Sequence, residues 1–135
     1  MYLEQARIIE LSKIEDQRGH LSVIENGGAI PFDIARCYWI YDVPSGERRG
    51  EGHAFRQTDE LIIAISGAFE VTVDDGRKRY QFALNRPFYG LYVPRTTWRE
   101  MHDFSTNSVA LVLSSLPYDE EDYIYDYHEF KALRR

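Results

Sequence analysis

The sequence predicts an all-β protein with one short helix near its C-terminal end. Short segments rich in β-branched and aromatic residues follow one another, and clusters of Gly, Pro, Asn and Asp separate them. The 135 residues contain no linker, internal repeat or low-complexity segment, so we expect a single domain over residues 1–135. Many short strands with regular turn signals are typical of a β-barrel or a β-sandwich.

The strand pattern can be followed as far as residue 113. The predicted strands are residues 6–14, 20–25, 34–42, 60–66, 68–73, 77–84, 90–93, 101–104 and 109–113, with polar turns at 15–19, 26–28, 74–76 and 85–87. Residues 60–66 are almost continuously apolar, which predicts a strand buried on both faces. The last two strands are predicted to pair with each other through the loop 105–108.

The tail from residue 118 onwards has a helical pattern. Its charges are acidic early and basic late, which suits the helix dipole, and Asp119 suits the N-cap position. Tyr123, Tyr127 and Phe130 recur at helical spacing. We interpret this aromatic stripe as the face of a helix that packs on the outside of the barrel.

Composition and charge argue against several classes of function. A formal net charge of −6 disfavours nucleic-acid binding through a basic surface. Cys37 is the single cysteine, so the chain has no internal disulfide and no thiolate metal cluster. No apolar run approaches membrane-spanning length, and the first residues lack the pattern of a signal peptide. We therefore expect a cytoplasmic protein without a membrane partner.

Residues 46–67 carry the most informative motif. They read GERRGEGHAFRQTDELIIAISG, which resembles the first signature of a cupin: Gly, His-x-His, a Glu a few residues on, and a closing Gly. His53 takes the first histidine position, Phe55 the second, and Glu60 the position of the acid. Alternate residues of a strand face the same side, so His53 and Phe55 would both point into the barrel. The resemblance implies a cupin barrel, which is a double-stranded β-helix or jelly roll.

Residues 90–99 fill the place of the second cupin signature, with Arg99 where a histidine belongs. A metal-binding cupin brings imidazoles and a carboxylate onto one ion, and neither Phe55 nor Arg99 can ligate a divalent cation. His53 and Glu60 alone are too few ligands. We therefore expect no metal and no cofactor, and a pocket in which His53 is free to move protons. The alternative interpretation is that His53 is a hydrogen-bonded core histidine.

One group of cupins resembles this chain almost from end to end. The matching stretches are residues 16–19, 30–34, 36–44, the loop around His53, and residues 84–87, 90–94, 98–100, 103–105 and 118–123. In this order and spacing they resemble the nucleotide-sugar 3,4-ketoisomerases, which act on dTDP-4-keto-6-deoxy-D-glucose. The resemblance implies a dTDP-sugar substrate and a homodimer with exchanged N-terminal strands. It also implies a role in supplying 3-keto sugars for the amino sugars of surface glycans such as lipopolysaccharide.

The chain departs from this family in the loop around His53. The family usually has R-G-x-H-A-H, whereas this chain has R-G-E-G-H-A-F, so either Arg48 or Arg49 takes the place of the family arginine. Phe55 replaces the second histidine, and Glu60 replaces the Gln that usually precedes the apolar strand. The missing histidine allows three interpretations: lost activity, altered regiochemistry, or an engineered substitution.

The resemblance also implies roles for individual residues. Moving a carbonyl from C4 to C3 removes the C3 proton, passes through an enediol and returns a proton to C4. The site therefore needs a base near neutrality and donors for the enolate oxygen. We assign His53 as the base and as the proton donor to C4, because an imidazole titrates in the right range. Tyr38 would hydrogen-bond the sugar oxygens or relay a proton; the alternative interpretation is a core residue whose hydroxyl is satisfied within the protein.

Arginines are the expected partners of the pyrophosphate, since the guanidinium fork suits phosphate oxygens. The candidates are Arg18, Arg49 and Arg99, with Arg95 and Arg48 in reserve. Trp98 would stack on the thymine or the sugar, or plug the mouth of the barrel. Glu60 is expected among the substrate-binding residues, where it would raise the pKa of His53, or it would act as a structural acceptor. We assign no role to the remaining histidines, His20, His102 and His128.

Three other functions stay open. An epimerase-like cupin would begin with the same proton abstraction but would leave the ketone at C4. A catalytically silent nucleotide-sugar-binding cupin is suggested by Phe55. A metal-dependent dioxygenase is disfavoured by the broken ligand set.

Overall fold

The structure is a computed structural model that describes residues 4–47, 49 and 51–134. Its elements are β1 (Arg7–Glu10), β2 (Ile14–Asp16), β3 (Gly19–Leu21), β4 (Arg36–Tyr41), β5 (Ala54–Phe55), β6 (Glu60–Ser66), β7 (Phe69–Asp74), β8 (Arg79–Leu84), β9 (Tyr89–Val93), β10 (Trp98–His102), β11 (Val109–Ser114), a 3-10 helix (Glu120–Asp122), β12 (Tyr123–Ile124) and α1 (Tyr127–Leu133). The predicted all-β architecture with one short C-terminal helix is confirmed. Among the described residues, no helix has the length and apolar character needed to cross a membrane.

The larger sheet has five antiparallel strands in the order β1-β9-β6-β11-β4. β6 lies at its centre, and its first five residues are buried, as its continuous apolar run predicts. Ile62 and Ala64 face one core cluster, whereas Leu61 and Ile63 face another. The predicted burial on both faces therefore holds for most of this strand.

β4 forms one edge of the larger sheet, and its residues alternate between half-buried and exposed. Because alternate residues of a strand share a face, Arg36, Tyr38 and Ile40 all lie on the inward side. A polar and aromatic row thus runs along the inner face of this edge. This row forms one wall of the site described below.

The smaller sheet has the antiparallel order β10-β7-β8, and it packs on the larger sheet through the main core. The buried core residues are Ile62, Ala64, Leu91, Val93, Ala110 and Val112 from the larger sheet, and Phe69, Val71, Val73, Leu84 and Met101 from the smaller, with Phe104. Arg99 lies two residues before Met101 on β10 and shares its inward face. The alternation of β10 thus carries a guanidinium to the inner side of the fold.

The outer face of the larger sheet carries a second apolar cluster. Leu61, Ile63, Tyr92 and Leu113 pack there with Leu11 and Ile30 from the N-terminal segments. β2 and β3 form a separate two-stranded hairpin beside it, and every residue of both strands is exposed. These two strands therefore contribute no buried residue to the single chain.

The C-terminal segment covers one end of the smaller sheet. Asp126 caps α1 by accepting a hydrogen bond from the N–H of His128 at 2.9 Å. Phe130 is fully buried with Ala54, Trp98 and Ile124. The helix packs through Phe130 and the partly buried Tyr127, in agreement with the interpretation of these two residues as a packing face.

Two predictions about this tail and its neighbours are wrong. The helix begins at Tyr127, not near Asp119, which instead caps the 3-10 helix. Tyr123 lies in β12, where it pairs with Phe55 of β5. The helical spacing of the tail was real, but pairing with a strand far away in sequence outweighs local propensity at this position.

The predicted pairing of residues 101–104 with 109–113 is also wrong. β10 pairs with β7, whereas β11 pairs with β4 and β6 in the other sheet. The chain crosses between the sheets in the connecting loop, where Asp103 and Asn107 have positive φ values of 55° and 60°. The N-terminal strands are also shorter than predicted. β1 ends at Glu10, and the predicted turn at 15–19 lies within a hairpin formed by residues 14–16 and 19–21.

Candidate functional site

A polar cavity of about 640 Å³ lies beside the inner face of β4. Its lining includes Arg36, Tyr38, Arg49, His53, Arg99, Tyr123 and Tyr125. A second cavity of about 620 Å³, lined largely by apolar residues, lies on the outer face of the larger sheet. The first cavity combines a histidine, a tyrosine and several arginines, so it is the candidate site.

A backbone bridge to β10 holds His53 in place. Its N–H donates to the carbonyl oxygen of Arg99 at 3.1 Å, and its own carbonyl oxygen accepts from the N–H of Arg99 at 2.9 Å. Gly52 permits this close approach, because its φ is +105° and a Cβ there would lie 2.7 Å from Cγ of Glu100. The glycine before the motif histidine therefore sets the position of His53 opposite Arg99.

The side chains of His53 and Arg99 are hydrogen-bonded as well. Nε of Arg99 donates to Nε2 of His53 at 3.0 Å. An imidazole that accepts at Nε2 carries its proton on Nδ1, so His53 is neutral and its lone pair is occupied. Burial, and then the positive charge of Arg99, lower the pKa of His53 to about 2. His53 can take a proton at Nε2 only when Arg99 releases this bond.

Arg99 and Glu60 form a buried ion pair behind His53. Arg99 is 2% exposed and Glu60 0%, and Nη2 of the arginine contacts Oε1 of the carboxylate. Burial alone would lower the pKa of Arg99, but the charge of Glu60 outweighs it, and the pKa of Arg99 is raised. The guanidinium is therefore a permanent cation in the wall of the cavity.

Two hydroxyl groups complete this network. The Tyr38 hydroxyl donates to Oε2 of Glu60 at 3.1 Å and accepts from Nη2 of Arg99 at 3.3 Å. Oγ of Ser114 donates to Oε2 of Glu60. Burial is the main cause that raises the pKa of Tyr38, so its hydroxyl stays protonated at neutral pH. One donor of this network is unsatisfied: Nη1 of Arg99 is buried and has no hydrogen-bond partner among the described residues.

Phe55 forms the apolar backing of the site. It is 4% exposed, and the centroid of its ring lies 5.0 Å from that of His53 and 4.6 Å from that of Tyr123, in edge-on contacts. The guanidinium of Arg99 lies over the same ring, with Cζ 5.1 Å from its centroid. Phe55 therefore lies beside His53, as the strand alternation predicts. Its ring packs behind the residues that line the cavity and does not line the cavity itself.

Four predicted residues form one hydrogen-bonded network, Tyr38, His53, Glu60 and Arg99, and Arg49 also lines the cavity. Arg18 does not line it, because it stands on the β2–β3 hairpin, bonded to Asp16, with its side chain 91% exposed. Arg95 is paired with Asp59. Arg48 lies outside the described residues.

Trp98 faces away from the cavity. Its ring packs against Tyr127 and Phe130 of α1, and its Nε1 donates to Oε2 of Glu100 at 3.0 Å. The strand alternation explains this, because Trp98 precedes the inward-facing Arg99 on β10. Trp98 supports β10 from the outer side.

Arg36, Tyr123 and Tyr125 also line the cavity, and none of them was predicted to belong to the site. The rings of Tyr123 and Tyr125 stack at 5.4 Å with an interplanar angle of 16°. Cζ of Arg36 lies 4.6 Å from the ring centroid of Tyr38. The sequence pattern could have predicted all three. Arg36 lies two residues before Tyr38 and shares its face of the strand, and Tyr123 and Tyr125 have the two-residue spacing of a strand.

These residues do not fit a cupin metal centre. Arg99 donates to both His53 and Glu60, so a cation already occupies the position between the two groups that an ion would need. The fold and the site together define a cupin whose cavity is built around a histidine, an arginine and a tyrosine.

Comparison with known proteins identifies the family. A family model described as "FdtA: WxcM-like, C-terminal" matches residues 4–135. The chain is 42% identical over 125 residues to the TDP-4-oxo-6-deoxy-alpha-D-glucose-3,4-oxoisomerase of Aneurinibacillus thermoaerophilus, covering 93% of this chain and 89% of that protein. The chain therefore belongs to the FdtA, WxcM-like family, and the predicted resemblance to nucleotide-sugar 3,4-ketoisomerases is confirmed.

Solved structures agree with this assignment. The WlaRB TDP-quinovose 3,4-ketoisomerase of Campylobacter jejuni is similar with a TM-score of 0.90 and 38% identity, covering 96% of this chain and 99% of that chain. A mutant of the 3,4-ketoisomerase QdtA from Thermoanaerobacterium thermosaccharolyticum, in complex with TDP-4-keto-6-deoxyglucose, has a TM-score of 0.92 and 34% identity, covering 98% and 96%. The predicted cupin fold is confirmed by these likenesses.

Proposed function

We propose that this protein is an isomerase that moves the keto group of a dTDP-4-keto-6-deoxyhexose from C4 to C3 through an enediol. Relatives named as 3,4-oxoisomerase and 3,4-ketoisomerase support this function. The observation that carries it is the contact between Nε of Arg99 and Nε2 of His53 in the wall of the polar cavity. A keto–enol shift needs a base and a cationic donor to the enolate oxygen, and these are the two groups in contact.

His53 is the proposed base and proton carrier. The C4 keto oxygen of the substrate takes a hydrogen bond from Arg99, which releases the lone pair of Nε2. Nε2 then removes the C3 proton, and the electron pair of that C–H bond forms the C3–C4 double bond while negative charge develops on the C4 oxygen. The same nitrogen returns the proton to C4. Arg99 stabilises the charge at the moment when it develops.

The oxygen-bound proton must also move. The C3 hydroxyl loses its proton as it becomes the new ketone, and the C4 oxygen gains one. Tyr38 is the proposed relay, because its hydroxyl is protonated and bonded to both Arg99 and Glu60. This assignment gives each mobile proton a named carrier.

The cationic residues of the cavity are the proposed partners of the pyrophosphate. Arg49 and Arg36 line the cavity, and a guanidinium suits phosphate oxygens. Arg18 would join them only from the hairpin of a second subunit. Glu60 and Trp98, which we expected to touch the substrate, lie behind the cavity wall and support Arg99 and β10 instead.

The wider role follows from the same proposal. The whole chain acts as one cupin domain, as a homodimer, without a cofactor, and with a base and donors supplied by its own side chains. It works in the cytoplasm and supplies 3-keto sugars to the synthesis of amino sugars for glycans. A chelator that leaves turnover unchanged would support the metal-independent chemistry.

Proton exchange at the sugar ring tests the function directly. The protein is incubated with dTDP-4-keto-6-deoxyglucose in deuterated water, and the sugar is followed by NMR. We expect the ketone at C3 and deuterium in the ring, with both lost in His53→Asn, whose fold is checked by circular dichroism. A ketone that stays at C4 with an inverted neighbouring centre would indicate an epimerase. An unchanged, undeuterated sugar that binds by calorimetry would indicate a silent binding protein.

A further inference from the structure

The carboxylate of Glu60 is enclosed by other side chains. Oε1 is contacted by Arg99 and Tyr38, and Oε2 by Tyr38 and Ser114. The residue has no exposed surface and does not line the cavity. A carboxylate in this position acts on a substrate only through the groups that it holds.

The most important of these groups is the guanidinium of Arg99, whose three nitrogens have three different environments. Nη2 is bonded to Glu60 and Tyr38, Nε is bonded to His53, and Nη1 has no partner among the residues that the structure describes. The guanidinium is planar and rigid, so anchoring Nη2 on a carboxylate fixes the directions of Nε and Nη1. The orientation of Arg99 therefore depends on Glu60.

The orientation of Arg99 in turn determines the tautomer of His53. Because Nε of Arg99 can only donate, the nitrogen that it meets must be the unprotonated one. That nitrogen is Nε2, so the proton stays on Nδ1. The lone pair that is released when a substrate oxygen takes the arginine N–H is then always on the same atom.

We propose that Glu60, held by Ser114, is a positioning residue for the isomerisation, which orients Arg99 and through it selects the tautomer of His53. The kinetic part of this inference rests on the proposed function, whereas its effect on His53 in the ligand-free protein does not. The competing explanation is that Glu60 only neutralises the buried charge of Arg99. That explanation assigns no role to Ser114, because the ion pair persists without the hydroxyl group.

Three single substitutions separate these explanations. Glu60→Met removes the carboxylate and keeps the length of the side chain, and Ser114→Ala removes the hydroxyl group that holds Oε2 of Glu60. Ser115→Ala is the matched control, because the hydroxyl of this neighbouring serine accepts from the backbone N–H of Asp59 at 2.8 Å. Each variant is checked by circular dichroism and thermal unfolding. Three quantities are then measured: kcat and KM, the dissociation constant of TDP, and the His53 tautomer by nitrogen-15 NMR, assigned with His53→Asn.

We expect Glu60→Met to lower kcat on the order of 100-fold, as a small misplacement of catalytic groups does, with little change in the dissociation constant of TDP. In the ligand-free variant, His53 should change from one tautomer to a mixture of two. Ser114→Ala should shift both quantities in the same direction by less, and Ser115→Ala should shift neither.

The inference is overturned if Glu60→Met keeps both the wild-type kcat and the single tautomer of His53. It is also overturned if this variant raises KM and leaves kcat unchanged. That result would mean that Glu60 contributes equally to binding the substrate and the transition state. If Glu60→Met does not fold, Ser114→Ala decides by the same two measurements. If the wild-type protein leaves the sugar unchanged, the proposed function fails, and the ligand-free tautomer still decides the role of Glu60.

Discussion

His53 is a weak base in the ligand-free protein because of its immediate surroundings, and its contribution to stability follows from the same cause. Burial and Arg99 lower its pKa from the ordinary histidine value of 6.5 to about 2 in the folded state. Between these values the unfolded chain binds a proton that the folded protein does not, so this group costs stability as the pH falls below 6.5. At neutral pH and above it has no such effect.

We therefore expect His53→Asn to reduce the acid sensitivity of the fold. Between about pH 7 and pH 4, its melting temperature should fall less than that of the wild-type protein, because asparagine does not titrate. Thermal unfolding across this range, followed by circular dichroism, measures the difference. Two curves that fall in parallel would show that His53 is protonated in the folded protein, in contradiction to its bond with Arg99.

Phe55 permits a second prediction about a single residue. A histidine here would be desolvated beside the guanidinium of Arg99, which lies over the phenylalanine ring. We expect Phe55→His to lower the free energy of unfolding by about 1–3 kcal/mol, the cost of a poorly satisfied buried polar group, without raising kcat. Denaturant unfolding and steady-state kinetics measure the two effects. Phe55→Leu serves as the apolar control, and a large gain of turnover in Phe55→His alone would instead mark Phe55 as a silencing residue.

Among the elements, the short connection into β5 determines the geometry of the site. An alanine at Gly52 would place its Cβ 2.7 Å from Cγ of Glu100 and 3.0 Å from the carbonyl oxygen of Arg99, at a φ of +105°. We expect Gly52→Ala to lower the free energy of unfolding by about 1–3 kcal/mol and to lower kcat as well, because the bridge between His53 and β10 must shift.

Gly46→Ala is the control for this prediction. Gly46 also has a positive φ, of +81°, but a Cβ there would meet nothing within 4 Å. The control should show a comparable loss of stability in denaturant unfolding with kcat preserved. Equal kcat values in the two variants would mean that the approach of Gly52 to β10 has no influence on the site.

The elements also show how far local sequence determines this fold. The apolar run of β6 and the turn before β8 predicted their strands correctly, because burial on both faces and a hairpin turn are local properties. The partners of β10 and β11 were not predictable in this way, since adjacent strands can enter different sheets when the loop between them crosses the core. Tyr123 was assigned to a helix because its spacing suits either element, and only the distant Phe55 decides between them.

The same limit applies to the site. Motif spacing brought His53, Glu60 and Arg99 into consideration together, and the structure joins them in one network. Ser114 carries no motif, and its role depends on the pairing of β11 with β6, where it lies opposite Glu60. Residues such as Ser114, which support the site without a motif, can be identified only when the strand register is known.

At the scale of the whole molecule, much apolar surface remains exposed on the N-terminal side. Ile14, Leu21 and Val23 are exposed there, as is Ile65 on β6, and the second cavity lies on the outer face of the larger sheet beside them. A patch of this kind marks an interaction surface, and an isolated two-stranded hairpin is marginally stable in water. Both features support the proposed homodimer, in which the N-terminal strands pack on a second copy of the chain.

Exchange of these strands between subunits would explain how Arg18 can contact a bound pyrophosphate. This arginine is a proposed pyrophosphate ligand, yet it stands on the exposed hairpin and does not line the cavity of its own chain. We expect Arg18→Ala and His53→Asn to be weakly active or inactive alone and to regain activity when they are unfolded and refolded together. A mixed dimer with exchanged hairpins has one complete site, with His53 from one subunit and Arg18 from the other.

Sedimentation of the wild-type protein as a dimer is the first requirement of this experiment, and differently tagged subunits then allow the mixed dimer to be purified and assayed. Arg18→Ala mixed with wild-type protein provides the reference, since it forms a complete site in either arrangement. If the mixed dimer of the two variants stays inactive, Arg18 does not serve the partner's site. If it is active, the site is shared between subunits, and the exposed position of Arg18 in the single chain is explained by the assembly.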